Sequence, residues 1–492
     1  MNLVKRFVIL LFLIPTLVSG QQSFTLSDVI CMATDSSLDA FRARNLYEAG
    51  YWEYRSYQAQ KKPSLTLNTT PLSYNRSFTQ EYNYDQGRYE FVELQNLYST
   101  ANLSVSQNIP FTGGRLYIDS EIGRLQTFGN NEYTQFATVP VRINLVQPVL
   151  GYNRFKWQRK IEPLKYEIAK KSYVQSAEDI SRQMVTYFFN LLAAQIRVEM
   201  ATANLANADT LYDIGQKKLE IASINQADVL TLKVAELNAR NDLAEANKQL
   251  QVAAFLFRSY LKLPGEAEVN LNLPDELPGF KADFDLALTQ AQTNNPDLMS
   301  YQRQILESAS NVEQTRRNGL MDASLTARFG LNQQSSNLPD SYRNPLDQQY
   351  ASIGFSIPII DWGQRRGQSN MARNNYEAVR LSAEQAETDF RQNVMLAVSN
   401  FNMQQDVVTT AYETREASRL AFQITKQRFM IGKSDVNSVS LALDRQDQAN
   451  VNYIEALRLY WSYYYQLRQL TLYDFEHGLT LMEKFDMELN VR

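Results

Sequence analysis

Residues 353–368 read IGFSIPIIDWGQRRGQ. Ile353, Phe355, Ile357 and Ile359 fall on one face of an extended chain, and Ser352, Gly354 and Ser356 on the other. That period of two marks a strand with one apolar and one wet side. Pro358 limits ladder pairing and helps to redirect the chain at the strand's end. Beyond Pro358, the chain contains no further proline. Ala, Leu, Glu, Gln, Lys and Arg dominate there, and all favour helix. Residues 361–430 as one helix would run ~105 Å at ~1.5 Å per residue. A helical pattern so far beyond ordinary length points to a coiled coil or helical array.

The same event occurs earlier. Shifting the chain against itself by 210 residues places Pro148 on Pro358, Gln158 on Gln368, Tyr166 on Tyr376, Asn190 on Asn400, Ile221 on Ile431 and Arg258 on Arg468. Upstream the shift is 260, with Phe24 on Phe284, Leu38 on Leu298 and Ser64-Leu65-Thr66 on Ser324-Leu325-Thr326. An internal duplication of this kind organises everything else. It divides the chain into a first repeat over 21–263, a Pro- and Gly-rich linker over 264–283, a second repeat over 284–472 and a tail over 473–492. Each repeat has a short helix, two strands and two very long helices. The fold class is therefore mostly α with membrane β, a tandem-repeat protomer. The difference between the two shifts is an insertion in the first repeat. Its hairpin, at about 79–135, has alternating Leu103, Val105 and Ile109, a PFTGG turn, then alternating Leu116, Ile118 and Ile122. It is read as an external flap, or, if both its strands cross the membrane, as two added strands.

Residues 1–20 read as a secretory signal peptide: Lys5 and Arg6, an apolar run from Phe7 to Leu17, and Val18-Ser19-Gly20. That run is short of the ~20 residues a spanning helix needs. Any further crossing is then expected to use strands. A net charge of −4 argues against a nucleic-acid partner. One cysteine, Cys31, and one histidine, His477, make an internal disulfide impossible, all but exclude a Cys/His zinc site and leave histidine-based catalysis to His477 alone. No metal, cofactor or enzymatic activity is expected.

Four strands per chain cannot close a barrel, and open edges are not tolerated in lipid. Several copies must then share one wall. A periplasmic coiled-coil scaffold or adhesion protein without a pore is the alternative, against which the strand alternation and signal peptide argue.

QPVLGYNRFKWQ (147–158), IPIIDWGQRRGQ (357–368) and the final hairpin from KQRFMIGKSDVNSV onward (426–439) resemble the TolC family of outer-membrane efflux proteins. The resemblance covers nearly the whole mature chain. It implies a homotrimer with a shared outer-membrane barrel of twelve strands, or eighteen if the insertion joins it, continuing into a periplasmic α-helical barrel. It implies a passive exit duct for efflux or type I secretion, set in outer-membrane lipid. A periplasmic adaptor (membrane fusion) protein and an inner-membrane RND, ABC or MFS pump would be its partners.

The helix reversals at 221–228 and 431–438 correspond to the periplasmic entrance of that family. Asp228 matches an aspartate of the links that hold it shut, with partner positions at Phe429 and Ser434. Neither can form the same ionic link. The family's acidic constriction falls on Ser438 and Leu441, so Asp435 or Asp444 is the candidate substitute, and Leu441 could form an apolar constriction. Gly432 supports the break in helix geometry. Asp228 and Asp435 equally suit a plain role as helix caps. At the strand–helix junction, Pro148, Pro358, Arg365 and Arg366 are candidates, the arginines as an anion-selective ring or as interfacial anchors. Tyr74, Tyr82, Tyr84 and Tyr89 suggest an aromatic girdle.

Overall fold

The computed structural model describes residues 22–485 apart from 130–131, 222, 264–268, 275–276, 320 and 484, so the signal-peptide reading over 1–20 lies outside the described residues. In order the elements are β1 (Gln22–Phe24), α1 (Leu26–Ser36), α2 (Leu38–Ala59), β2 (Ser64–Asn83), β3 (Arg88–Ile109), β4 (Gly114–Phe128), β5 (Tyr133–Pro148), α3 (Arg154–Glu220) and α4 (Gln226–Leu261). The second repeat follows as β6 (Val269–Leu271), α5 (Phe284–Asn294), α6 (Pro296–Asn318), β7 (Asp322–Ser335), β8 (Leu346–Ser356), α7 (Gln364–Met430) and α8 (Val436–Thr471), before a small hairpin of β9 (Tyr473–Asp474) and β10 (Leu479–Thr480). The duplication is visible in lengths: α3 and α7 each have 67 residues, and α4 and α8 each have 36. Among the described residues no helix is long and apolar enough to cross a membrane.

The chain divides into two units. One comprises the described residues to Ala43, with Val174–Ala291 and Val394 onward; the other comprises Arg44–Tyr173 and Gln292–Asn393.

The second unit holds one antiparallel sheet of six strands in the order β2-β3-β4-β5-β7-β8. The reading of the insertion as an external flap is therefore corrected. Its residues build β3 and β4, which lie inside the sheet between β2 and β5. The physical reason is pairing: β3 bonds to β2 from Ser64↔Ser106 to Asn83↔Arg88, and to β4 from Gln95↔Phe128 to Ile109↔Gly114. A flap would keep the β3–β4 bonds but leave the β2-facing edge of β3, and an apolar face, in water.

Register sorts the side chains. Leu65, Val105, Ile118, Ile143 and Phe329 lie in one cross-strand row, and their neighbours Thr66, Ser104, Asp119 and Arg142 in the next. Opposed residues share a face, so the first row is apolar and the second wet. On the wet face Asp119 is buried and accepts hydrogen bonds from Asn102 (2.8 Å), Asn144 (2.7 Å) and Arg142 (Nη2, 2.5 Å), and Arg142 also reaches Glu121 at 2.9 Å. The β5–β7 register shifts between Thr138 and Arg142. Gly330 stands opposite, where a Cβ would lie 2.6 Å from the Val141 carbonyl oxygen and 2.7 Å from the Arg142 Cα. Only glycine fits that approach. The outer strands β2 and β8 expose large apolar groups, including Leu65 at 67% and Phe355 at 63%.

In the other unit, Phe188, Phe189, Phe257, Phe401 and Tyr460 are fully buried. Arg468 of α8 makes a two-pronged bond to Glu178 of α3 (2.8 and 2.9 Å) and a third to Asp474 at 3.1 Å. Asp474 also accepts the backbone N–H groups of Glu476 and His477, closing the β9–β10 hairpin, and His477 Nδ1 lies 3.1 Å from its carboxylate. Asp474, Glu476 and His477 bring their ligand atoms within 4.8 Å of one another, and this turn accounts for the grouping.

Breaking a buried pair strands its partner, at a cost of about 3–5 kcal/mol. Arg468→Met should therefore lower the urea midpoint of the protein in detergent. The double change with Glu178→Gln should recover part of that loss; equal losses in single and double variants would contradict the pairing.

Candidate functional site

Two reversals, 221–225 between α3 and α4 and 431–435 between α7 and α8, carry most of the candidate residues. Helix ends leave amide and carbonyl groups without partners, and local sequence satisfies them here. Asn225 caps α4: its side chain accepts from the Asp228 N–H at 2.9 Å, while the Asp228 carboxylate accepts from the Asn225 N–H at 3.3 Å. Asp435 caps α8, accepting the Ser438 N–H and the Ser438 hydroxyl, each at 2.8 Å. Those two bonds, the backbone one first, hold the Asp435 carboxyl below its ordinary value. Gly432 takes φ +75°, the left-handed turn that ends α7, and Lys433 N–H closes it on the Arg428 carbonyl at 2.8 Å.

Both Asp228 and Asp435 thus take part in helix capping within one chain. Ser434 is half-buried. Phe429 is 1% exposed and packs with Leu211, Leu232, Phe422, Val436 and Val439, joining the two hairpins near their tips. Lys218, which sequence reasoning missed, adds a polar clasp. Its Nζ donates to the Phe429 carbonyl at 2.7 Å and lies 4.4 Å from that ring's centre. Lys218 falls on Arg428 in the repeat, so a cation near each reversal was the available signal.

Leu441 and Asp444 are exposed, and the structure does not bring them onto this core. One turn along α8, Asp447 is half-buried and accepts from Asn204 Nδ2 of α3 at 2.7 Å. Burial pushes its carboxyl above the ordinary range, and Asp444 and Asp242 act in the same direction. A hydrogen bond to Asn204 opposes them. Asp447 is the more constrained of the two acids, and its spacing alone gave no way to see it.

At the junction, Pro148 ends β5 and pairs with Ser324, whereas Pro358 lies beyond the last residue of β8. Arg365 is half-buried, 3.7 Å from Asp361, and Arg366 is exposed. No ring of arginines forms within one chain. Tyr82 packs edge-on against Tyr84 and Tyr89 at centroid distances of 5.1 Å, at the β2–β3 turn, while Tyr74 sits further down β2.

The chain has counterparts among known proteins. The family described as outer membrane efflux protein matches residues 73–260 and 287–471, one segment in each repeat. The chain belongs to that family. Among solved structures, the CmeC outer membrane channel of Campylobacter jejuni superposes with a TM-score of 0.63 at 14% identity, covering 94% of this chain and 88% of its own. CusC gives 0.58 at 16% identity, covering 91% of each. Among sequence relatives, a toxin and drug export protein A of Aggregatibacter actinomycetemcomitans is 21% identical over 73% of this chain and 77% of its own length. The cobalt-zinc-cadmium resistance protein CzcC of Cupriavidus metallidurans is 25% identical over 59% and 67%. The fold is that of TolC-like channels, and the protein is an outer-membrane efflux duct.

Phe429→Ala should cost about 3–5 kcal/mol as a buried aromatic truncation. Faster amide exchange in residues 211–218 and 428–439 would register it; unchanged exchange there would show that the hairpin tips do not depend on this ring.

Asp447 has a raised folded value, so its contribution to stability is full below the unfolded value of 3.8 and is lost as pH rises through the folded one. Asp447→Asn should raise the melting temperature near neutral pH and flatten the decline from acid toward neutral. A melting temperature unaltered at every pH would oppose this reading.

Proposed function

We propose that three copies assemble into one passive duct, with eighteen strands in a shared outer-membrane barrel and the paired long helices of each copy forming a periplasmic tunnel. The observation that carries this is the sheet. Its six strands expose an apolar face and end in two unpaired edges, β2 and β8. Neither edge can remain open in lipid, and closure with like strands satisfies both. A barrel of eighteen strands is wide enough to leave an aqueous channel.

In this reading the reversals at 221–225 and 431–435 form the periplasmic entrance and meet a periplasmic adaptor. An inner-membrane pump of the RND, ABC or MFS class supplies the energy, and the duct performs no chemistry. The lone cysteine and lone histidine support that last point. Relatives named for toxin and drug export and for cobalt-zinc-cadmium resistance leave toxins, drugs and divalent metals in play as cargo. An adaptor that chooses the pump also chooses among them.

The protein purified from the outer membrane should run as a heat-modifiable trimer and give stepwise conductance in planar bilayers. A soluble monomer without conductance would return the reading to a periplasmic scaffold.

A further inference from the structure

The joint between the two repeats inside one chain is fully drawn, and the duplication says what it becomes between chains. In the sheet, β5 of the first repeat pairs with β7 of the second: Pro148↔Ser324, Gln147↔Leu325, Val146↔Thr326, Leu145↔Ala327 and Asn144↔Arg328. Val149 N–H extends this by bonding to the Ala323 carbonyl at 2.8 Å. Just beyond, the start of α3 rests on α6. Lys156 Nζ lies 3.3 Å from Glu313, Trp157 Nε1 donates to Glu313 at 2.8 Å, and Tyr152 and Ser310 hydroxyls meet at 2.5 Å.

After β8, in the second repeat, the corresponding groups lie open among the described residues. Ile359, the counterpart of Val149, is 92% exposed, and Trp362, the counterpart of Tyr152, is 95% exposed. Strand β8 stops at Ser356, two residues short of the proline that its counterpart β5 reaches.

Resting on the trimeric reading above, we propose that β8 of one copy pairs with β2 of the next in the register copied from β5 and β7. The shift of 210 moves the β5 side and the shift of 260 the β7 side. Pro358 then opposes Ser64, Ile357 opposes Leu65, Ser356 opposes Thr66, Phe355 opposes Leu67 and Gly354 opposes Asn68 of the neighbouring copy. The same operation turns the contact of Lys156 with Glu313 into one of Arg366 with Glu53 on the neighbour's α2.

Two features not used to set this register agree with it. The opposed pairs match by face: Ile357 with Leu65 and Phe355 with Leu67 are apolar, and Ser356 with Thr66 and Gly354 with Asn68 are small or polar. A slip of one residue would set Phe355 against Thr66 and turn every side chain of the strand over. The ion pair keeps its signs through the duplication as well. Lys156 becomes Arg366, and Glu313 becomes Glu53. Glu53 holds Lys165 at 3.0 Å but is 56% exposed, which leaves it room for a second cation. Pro63, the counterpart of Ala323, still offers the carbonyl needed by the Ile359 N–H.

The test uses the full chain in the outer membrane with Cys31→Ser. Directly opposed residues bring Cβ atoms to about 4.5–5.5 Å and diagonal ones to about 7–8 Å, so only the former approach disulfide geometry. Ser356→Cys with Thr66→Cys should give covalent dimers and trimers on non-reducing gels, several-fold more than Ser356→Cys with Asn68→Cys. Separately, Arg366→Glu should lower the trimer fraction and Glu53→Arg in the same chain should restore it. A native trimer that links better through residue 68 than through residue 66 would overturn the register while leaving the shared barrel standing. A monomer that forms no link in either pair would overturn both.

Discussion

A strand edge in lipid has nowhere to place its amide and carbonyl groups, and this constraint shapes the whole chain. Water can satisfy an edge in a soluble sheet; hydrocarbon cannot. Six strands are too few to curl back on themselves around an aqueous passage, so β2 and β8 commit the protein to others of its kind. The apolar row through Leu65, Val105, Ile118, Ile143 and Phe329 makes the same demand, because so much exposed hydrocarbon is stable only against acyl chains. The wet row behind it, where Arg142 is held between Asp119 and Glu121, makes sense only if water lies on that side.

Much of this was legible in the residues. The alternation at 353–359 marked β8, and the proline-free stretch beyond Pro358 marked helices of 67 and 36 residues, lengths that the first repeat shares although α3 carries Pro163. The insertion shows where such reading stops. Leu103, Val105, Leu116 and Ile118 alternated as a membrane strand should, but alternation reports a two-faced strand and not its neighbours. Only the pairing of β3 with β2 over almost its whole length fixes its place in the sheet.

At the reversals the balance differs. Asp228 and Asp435 were visible as cap or gate, since a short acid before a helix suits both. The bonds that the Asn225 and Ser438 N–H groups donate to these carboxylates show both acids capping a helix within one chain. Lys218 and Asp447 were not singled out because their significance lies in partners far along the chain, at Phe429 and Asn204. The buried set of Arg468, Glu178 and Asp474 is of the same kind, joining residues that no periodicity relates.

The extra strands enter the chain as a complete hairpin, out along β3 and back along β4. That parity has a consequence for how such ducts diversify. A returning pair delivers the polypeptide to the same rim from which it left, so β5 can still lead into α3 and neither long helix need change by a single turn. One strand, or three, would strand the chain on the far side of the bilayer. The number of strands can therefore grow only in even increments for each copy, and it can do so while the long helices keep their lengths.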